Sequence, residues 1–457
     1  MPSIDEYLKT HAARFEGELC EFLRIPSVST DPTHRGDIDR AAQWVGERLR
    51  RLGLATEVVP TTRHPLVLAE SPSVDGAPTV LVYGHYDVQP AEPSDLWQSP
   101  PFEPTRRDGN LYARGATDDK GQVLTHVYSV EAWLATERRL PVNLKFLIEG
   151  EEEVGSQGLY GFLTDHAQRL ACDCLVISDG AQFAPGQPAI TYGLRGIVYF
   201  ELVLTGPKSD LHSGSFGGAV TNPANALARM LSALVDERGR IQVPGFYDDV
   251  VPLSSREREQ LAALGFDEQR FFAQVGVSGA IGESGYTSLE RRWARPTFDI
   301  NGIGGGYQGT GGKTIIPAQA MAKFSFRLVP NQDPEKINRA TEAMLHGLCP
   351  PGISMKLTQH QGTPGVLVPL DSPYIQAAGR AIEHGFGRAP VFIREGGSIP
   401  IVSTFHKTFG ADTLLIGWGQ DDDGAHGPNE KFSLADFHRG IRASARLWEE
   451  LSRIKKE

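Results

Sequence analysis

The stretch VLVYGHYD at residues 80–87 is an apolar run that ends on a histidine and an aspartate. Three further runs share this design: LKFLIEGEEE at 144–153, CLVISD at 174–179 and TLLIGWGQDDDGAH at 413–426. Their length and β-branched content are typical of strands buried on both faces, as in parallel sheets. In open α/β sheets, ligands collect beyond the carboxyl ends of such strands. We therefore expect the histidines and carboxylates that follow these runs to meet at one edge of a sheet.

The segment RGATDDKG at 114–121 can bring two further carboxylates, Asp118 and Asp119, to the same edge. It runs into a predicted helix over 120–138, so both aspartates could instead serve only as caps of that helix. EGEEEVGS at 149–156 would ordinarily be a solvated acidic loop, but carboxylates crowded at a strand end repel one another unless a cation offsets them. Together these features predict a hydrolytic metal site.

Each candidate ligand also has a plain structural interpretation. A single histidine is more often a structural residue than a ligand, and Asp179 before Gly180 could be a turn residue. His85 is favoured as a ligand because Asp87, two residues further on, can orient its imidazole. The shared placement of the candidates at the ends of predicted strands favours a metal site over unrelated surface residues.

Size and charge narrow the range of functions. The chain has 457 residues, of which 40% are hydrophobic, enough for two domains. A formal net charge of −11, with both signs interspersed, argues against nucleic acid and anionic membranes as partners. No apolar run of about 18 residues occurs, and the charged N-terminal stretch predicts an amphipathic helix rather than a signal peptide. Four cysteines without a CxxC pair fit a reduced, cytoplasmic protein.

The pattern of predicted elements divides the chain. The opening part alternates helix and strand, including a helix over 39–52 that ends at Gly53, and predicts a doubly wound α/β fold with a mainly parallel sheet. Residues 193–369 change to a roughly βαββαβ pattern, which predicts an inserted α+β (ferredoxin-like) domain. We therefore predict a catalytic domain formed by 1–192 and 370–457, interrupted by the domain at 193–369.

Other enzyme signatures are weak. Gly304, Gly306 and Gly309 match G-x-G-x-x-G, but no helix is predicted to follow them, which disfavours a dinucleotide site. No G-x-S-x-G stretch is present, which weakens the hypothesis of a serine hydrolase.

Eight motifs together resemble those of the dinuclear metallopeptidases that include aminoacylase, carboxypeptidase G, carnosinase and cytosolic non-specific dipeptidase. In chain order they are GHYDVQP, RGATDDKG, EGEEEVGS, VISDG, DLHSGSFGG, FRLVPN, EGGSIP and DDGAHGPNEK. The resemblance covers nearly the whole chain and is closest to the dipeptidase branch. It implies a metal-dependent hydrolase that cleaves the amide bond of dipeptides or similar small peptides with a free carboxylate.

The resemblance also implies a site for two divalent metal ions. Zn²⁺ is the expected metal, with Mn²⁺ or Co²⁺ as alternatives for the same ligand set. Asp118 would bridge the two ions. His85 and Asp179 would complete the ligands of one ion, and Glu153 and His426 those of the other.

Catalytic roles follow from the same resemblance. Glu152 matches the general base, which takes a proton from a metal-activated water and passes it to the leaving amine. Asp87 would steer His85. The peptide bond between Asp118 and Asp119 is typically cis in such enzymes.

Substrate contacts are implied in the inserted domain and in the EGGSIP loop. Arg327 would pair with the substrate carboxylate, and a surface ion pair is the alternative. His212 would reach the neighbouring subunit's site in a homodimer formed through the inserted domain and stabilise the oxyanion. A loop histidine that caps a turn is the alternative for His212. The remaining implied contacts are Lys313, Thr314, Gly397 and Ser398.

Two other functions stay open on the sequence. An N-acyl amino acid deacylase or desuccinylase would share every metal residue, although the long excursion over 237–295 is more similar to the dipeptidase branch. A metal-stabilised binding protein that lost turnover is the non-enzymatic alternative. Glu152 disfavours it, because a purely structural site has no use for an unliganded base.

Overall fold

The computed structural model describes residues 2–279 and 282–455. Its helices are α1 (Ile4–Leu23), α2 (Arg35–Arg51), α3 (Lys120–Glu137), α4 (Gln157–His166), α5 (Ser213–Phe216), α6 (Pro223–Ser232), α7 (Ser255–Ala263), α8 (Glu268–Gln274), α9 (Ser288–Trp293), α10 (Pro334–Leu348), α11 (Pro373–Phe386), α12 (Pro400–Phe409) and α13 (Leu434–Ser452). Its strands are β1 (Ala55–Val59), β2 (Leu66–Glu70), β3 (Thr79–His85), β4 (Thr105–Arg107), β5 (Asn110–Tyr112), β6 (Asn143–Glu149), β7 (Cys174–Ile177), β8 (Ala189–Leu194), β9 (Gly196–Thr205), β10 (Leu211–His212), β11 (Thr297–Gly305), β12 (Ile315–Ile316), β13 (Gln319–Leu328), β14 (Ser354–Thr363), β15 (Val366–Leu367), β16 (Val391–Glu395), β17 (Asp412–Ile416) and β18 (Lys431–Ser433). Among the described helices, none combines the length and apolar character needed to cross a membrane.

The chain forms two compact units. The first runs to Tyr192 and resumes over 368–393 and from Thr404 onward. The second comprises Gly193–Leu367 and Arg394–Ser403. Each unit is built around a sheet of its own, so each can be described separately.

The segment Arg394–Ser403 does not follow the domain division that the sequence predicts. The sequence pattern assigns all of 370–457 to the first domain, whereas this segment groups with the second unit. There Ser398 hydrogen bonds with both Arg195 and Arg327. Contacts with residues far away in the sequence decide where the segment belongs, and local periodicity does not encode them.

The central sheet of the first unit is mixed, with strand order β1-β2-β6-β3-β7-β17-β8. The neighbours β6–β3, β3–β7 and β7–β17 are parallel, whereas β1–β2, β2–β6 and β17–β8 are antiparallel. The prediction of a mainly parallel sheet is therefore wrong for the whole sheet and holds only for its centre. Apolar runs indicate burial, but the short connection between β1 and β2 is what makes that pair antiparallel.

Helices cover both faces of this sheet at β3. The ring of Tyr83 contacts Phe405 of α12. At the next residue, Gly84, an added Cβ would lie 2.5 Å from Val123 of α3. Because successive residues of a strand face opposite sides, α3 and α12 lie on opposite faces. Helices thus cover both faces of the sheet at its centre, as the alternation of helix and strand predicts.

The second unit contains a four-stranded antiparallel sheet of order β11-β13-β9-β14. Along the chain its elements run β9, α6, β11, β13, α10, β14, which is a βαββαβ order. Burial alternates along β9, where Val198, Phe200, Leu202 and Leu204 form one core with apolar residues of α6 and α10. Period-two alternation is what a strand shows when only one face is covered by helices.

Replacing Gly385 of α11 with alanine should destabilise the fold. Its Cβ would lie 2.6 Å from the Cβ of Ala443 in α13 and 2.7 Å from the backbone nitrogen of that residue, and such overpacking costs about 1–3 kcal/mol. Gly379 of the same helix is the matched control. Nothing lies within 4 Å of a Cβ added there, and alanine should raise the free energy of unfolding by up to about 1 kcal/mol. Denaturant unfolding followed by circular dichroism measures both, and equal values would contradict the close packing of α11 on α13.

Candidate metal centre

The five side chains predicted to bind metal follow elements whose ends lie side by side. His85 ends β3, Asp179 lies two residues beyond β7, and Glu153 lies in a 3₁₀ turn after β6. His426 is in the connection between β17 and β18, and Asp118 lies just before α3. Since β6, β3, β7 and β17 are adjacent and parallel, residues far apart in the sequence reach one edge of the sheet.

Two groups of potential ligand atoms form at this edge, and Asp118 belongs to both. In the first, His85 Nε2 lies 3.1 Å from Asp118 Oδ1 and 3.9 Å from Asp179 Oδ2. In the second, His426 Nε2 lies 3.1 Å from Asp118 Oδ2 and 3.3 Å from Glu153 Oε2. Within each group the atoms lie within 4.8 Å of one another. A carboxylate that turns one oxygen to each group has the geometry of a bridge between two cations.

The close approach of these side chains shifts the pKa values of several of them. Burial, and then the charge of Asp118, raise the pKa of Asp179 to about 7. Hydrogen bonds to Asp118 and Glu153 raise the pKa of His426 to about 10. Although burial opposes them, the imidazoles of His426 and His85 hold the pKa of Asp118 below its usual value. A divalent cation beside these groups would offset the repulsion between the carboxylates.

His85 shows the fit to a cation most directly. Its side chain is fully buried, and its Nε2 lies 3.1 Å from Asp118 Oδ1 without the geometry of a full hydrogen bond to any described residue. Its Nδ1 lies 3.1 Å from the Asp87 carbonyl oxygen and 3.4 Å from the Asp87 carboxylate. This contact fixes the ring with Nε2 towards Asp118 and Asp179. A buried ring nitrogen that is oriented in this way is what a metal-binding imidazole presents.

Glu153 is supported from the chain that follows β3. Asp87 Oδ2 accepts the N–H of Glu153 at 3.2 Å, and Gln89 Nε2 donates to Glu153 Oε2 at 2.7 Å. The Asp118–Asp119 peptide bond is cis, as the resemblance implies. Gln89 is not among the residues predicted from the sequence, although it lies inside the motif GHYDVQP.

Glu152 opens the turn that carries Glu153 but belongs to neither ligand group. Burial raises the pKa of Glu152 to about 9; the imidazole of His85 opposes this shift, and the carboxylates of Asp179 and Glu153 add to it. A carboxyl group beside the ligand groups whose pKa is raised in this way is a candidate general acid and base.

Within the second unit, Arg327 of β13 belongs to a small polar network. Its Nη1 donates to Ser398 Oγ at 3.0 Å, and Ser398 Oγ donates to the carbonyl of Arg195 at 2.5 Å. Burial lowers the pKa of both arginines, and the charge of Arg327 adds to the effect at Arg195, whose pKa falls to about 10. In the described part of the chain, the side-chain hydrogen bonds of these guanidiniums go to neutral oxygens. The carboxylate of Asp299 acts on both guanidiniums through its charge, without a hydrogen bond to either among the described residues.

His212 lies in the second unit at the end of β10. It pairs with Ile315 across the β10–β12 ladder, close to Lys313 and Thr314 in the chain that precedes β12. Its Nδ1 accepts the N–H of Gly214 at 3.1 Å, so the turn-capping role is present in the structure. The ring is nevertheless exposed, and capping leaves Nε2 available for another contact.

The predicted site residues fall into two sets. The first unit holds every predicted metal ligand together with Asp87 and Glu152. The second unit holds His212, Lys313, Thr314, Arg327, Gly397 and Ser398. The sequence reasoning missed two residues that contact this set, namely Gln89, which donates to Glu153, and Arg195, whose carbonyl accepts from Ser398. Gln89 lies inside the quoted motif GHYDVQP, so a polar residue flanking a predicted ligand was the available signal.

Comparison with known proteins finds similar sequences and structures along most of the chain. A sequence profile described as peptidase family M20/M25/M40 matches residues 81–450. The Cys-Gly metallodipeptidase of Schizosaccharomyces pombe is 35% identical over 96% of each chain. The structure of human carnosine dipeptidase 1 aligns over 99% of this chain and 98% of its own, with 34% identity and a TM-score of 0.83. The M20 family metallo-carboxypeptidase Sso-CP2 of Sulfolobus solfataricus aligns over 96% and 99%, with 33% identity and a TM-score of 0.86.

Asp118→Asn should weaken the binding of both expected ions, because Asp118 is the residue common to the two ligand groups. Asp179→Asn is the matched control, since it removes a carboxylate from one group alone. We expect Zn²⁺ affinity of Asp118→Asn to fall more than about 100-fold at both sites, beyond the range for supporting residues. Asp179→Asn should keep one tightly bound ion. Competition with a chromophoric chelator and elemental analysis measure both, and an Asp118→Asn protein with one ion at wild-type affinity would contradict the bridge.

Proposed function

This chain belongs to peptidase family M20/M25/M40, and we propose that it hydrolyses the amide bond of dipeptides and similar small peptides that carry a free carboxylate. It is a metallopeptidase, and relatives named as dipeptidases align along nearly its whole length. The proposed mechanism rests on Asp118, whose carboxylate belongs to both ligand groups. The carboxyl group of Glu152 lies beside these groups and belongs to neither.

The donor set fits two divalent cations. His85 and Asp179 would hold one, Glu153 and His426 the other, and Asp118 both. Two imidazoles and three carboxylates suit Zn²⁺, and Mn²⁺ or Co²⁺ accept the same donors. When bound, such ions lower the pKa of a water towards about 7 and polarise the scissile carbonyl.

Glu152 would move the proton. Its carboxylate accepts a proton from the attacking water and then donates it to the departing amine nitrogen. The buried position, which raises its pKa, lets Glu152 retain the proton between the two transfers. Asp87 would keep the His85 ring oriented throughout, because it contacts Nδ1 while Nε2 faces the ligands.

The substrate carboxylate would bind at Arg327. The Ser398 hydroxyl restrains this guanidinium, which leaves its remaining N–H groups for a carboxylate. Lys313, Thr314 and the backbone at Gly397 would contribute further contacts from the same unit. A neighbouring guanidinium, that of Arg195, adds positive potential and favours an anionic group of the substrate.

The second unit would also serve as lid and dimerisation domain. We place the catalytic domain in 1–192 and 370–457, except for Arg394–Ser403, and the inserted domain in 193–369 together with that segment. A homodimer through the inserted domain would let His212 stabilise the oxyanion in the partner's site. The exposed ring of His212 supports this role, because capping occupies only Nδ1.

The cytoplasm is the compartment we propose. Cys20, Cys172, Cys174 and Cys349 are free thiols in the structure. Unpaired cysteines are usual where thiols are kept reduced. The deacylase alternative is not favoured, because the Cys-Gly metallodipeptidase and the β-Ala-His dipeptidase both match nearly the full chain.

Glu152→Gln should separate chemistry from metal binding. The substitution keeps the size of the side chain and removes the base, so turnover should fall by a factor of about 10² to 10⁴. Metal content should stay close to wild type, whereas Glu153→Gln, which alters a ligand, should lose metal. Steady-state kinetics with a dipeptide and elemental analysis give the two readouts. If Glu152→Gln lost metal and Glu153→Gln retained it, the two assignments would have to be exchanged.

Arg327→Ala should slow the hydrolysis of substrates that carry a free carboxylate. Losing a charge-assisted pair should lower kcat/KM by about 10- to 100-fold, mainly through KM. Lys323→Ala is the matched control, since Lys323 lies on the same strand and pairs with Glu201 at 3.7 Å. It should leave KM unchanged. Amidated dipeptides should be poor substrates of the wild type, and equal rates on free and amidated peptides would count against the carboxylate site.

A further inference from the structure

Arg114 and Glu430 form a buried ion pair that belongs to neither metal-ligand group. Arg114 Nη1 lies 2.8 Å from Glu430 Oε2, and the residues are 1% and 0% exposed. The β5–β18 ladder brings them together, with Lys431 opposite Tyr112 and the Ala113 N–H donating to the Glu430 carbonyl at 3.1 Å. Apolar side chains of similar volume are often as stable as a buried ion pair, so stability alone does not explain this one.

The Glu430 carboxylate fixes the backbone that leads to Asp118. Its Oε1 accepts the N–H groups of Thr117 at 3.0 Å and of Asp118 at 3.1 Å. Its Oε2 accepts the N–H of Gly115 at 2.8 Å in addition to Arg114 Nη1. All four donors are N–H groups, so both oxygens are required as acceptors. The residue that joins the two ligand groups is therefore held through its own backbone nitrogen.

Arg114 extends this contact to the segment that begins at His85. Its Nη2 donates to the carbonyl of Pro90 at 3.0 Å. Gln89 lies between His85 and Pro90 in this segment, and its side-chain amide donates to Glu153 Oε2 at 2.7 Å. The Arg114 guanidinium thus holds the segment that carries the predicted ligand His85 and supports the predicted ligand Glu153.

Glu430 also lies in the connection that carries His426. Asp423 Oδ2 accepts the hydroxyl of Thr117 at 3.0 Å, and the Asp423 carbonyl accepts the N–H of Lys431 at 2.9 Å. The connection is therefore closed by its own backbone and tied to the chain at Thr117. The buried ion pair stands where three ligand-bearing segments meet.

We propose that Arg114 and Glu430 are positioning residues, which hold the three ligand-bearing segments at the spacing that both metal ions require and so set the metal affinity. This inference rests on the ligand set of the proposed function. Neither side chain touches the ligand atoms. Their loss should therefore be seen first in the affinity for metal, and in turnover only as a consequence.

Glu430→Gln tests this directly. The amide replaces one acceptor oxygen with an NH₂ donor, which would face the backbone N–H groups that the oxygen now accepts. We expect Zn²⁺ affinity at both sites to fall about 10- to 100-fold, the range for residues that orient metal ligands. Turnover should largely recover at saturating Zn²⁺, because the base and the ligands remain. Arg114→Lys is a milder second variant, since lysine keeps the charge but cannot reproduce the forked contact with Glu430 and Pro90.

Glu283→Gln is the matched control. Glu283 is 8% exposed and accepts hydrogen bonds from Arg295 at 2.6 and 2.7 Å within the second unit. Its loss should lower the denaturation midpoint of the metal-free protein, as Glu430→Gln should, but leave Zn²⁺ affinity unchanged. Competition of the full-length proteins with a chromophoric chelator measures the affinities. The double variant Arg114→Lys/Glu430→Gln should lose little more affinity than the worse single variant, because both act through one contact.

Two outcomes separate this inference from the proposed function. Wild-type Zn²⁺ affinity in Glu430→Gln and Arg114→Lys, with a loss of stability like that of the control, would overturn the positioning role and leave the proposed function intact. A wild-type protein that binds no Zn²⁺, or an Asp118→Asn protein that binds it unchanged, would overturn the ligand set and this inference with it. If Glu430→Gln does not fold, the affinity of Arg114→Lys decides.

Discussion

Half-buried negative charge at one edge of a sheet is the constraint on which the rest of the first unit depends. The parallel strands β6, β3, β7 and β17 help to bring three carboxylates and two imidazoles to this edge. Carboxylates this close repel one another strongly where water is scarce, and apolar packing does not offset the repulsion. Hydrogen bonds that Asp87 and Glu430 accept and that Gln89 donates hold the segments against that repulsion. Cations then gain a preformed site instead of having to assemble one.

Residues that precede the family profile help to build the same edge. The profile begins at residue 81, yet the hydroxyl of Ser27 donates to the carbonyl of Tyr86 at 2.6 Å. Lys120 Nζ donates to the carbonyl of Ile25 at 2.7 Å, and burial lowers the pKa of this lysine to about 7. Tyr86 follows one predicted ligand in the chain and Lys120 lies two residues from another. The chain that follows α1 is therefore part of the scaffold of the candidate metal centre.

Local signals predicted much of the first unit, and long-range contacts supplied the rest. The predicted helix over 120–138 is observed as Lys120–Glu137, and that over 39–52 as Arg35–Arg51, because helical spacing and end signals act within a few residues. Strand ends also predicted which histidines and carboxylates would come together at this edge. The direction of the edge strands, and the ion pair between residues 114 and 430, depend on partners far apart in the sequence. No periodicity encodes such partners.

The adjacent glutamates after β6 differ because of the turn that carries them. Glu152 and Glu153 open a 3₁₀ turn, in which successive side chains are about 120° apart. Glu153 reaches His426 and Gln89, whereas Glu152 stays outside that ligand group. A continued strand would send one of the two to the opposite face of the sheet. The tight turn keeps both at the edge and separates their directions, so consecutive residues can provide a ligand and an unliganded base.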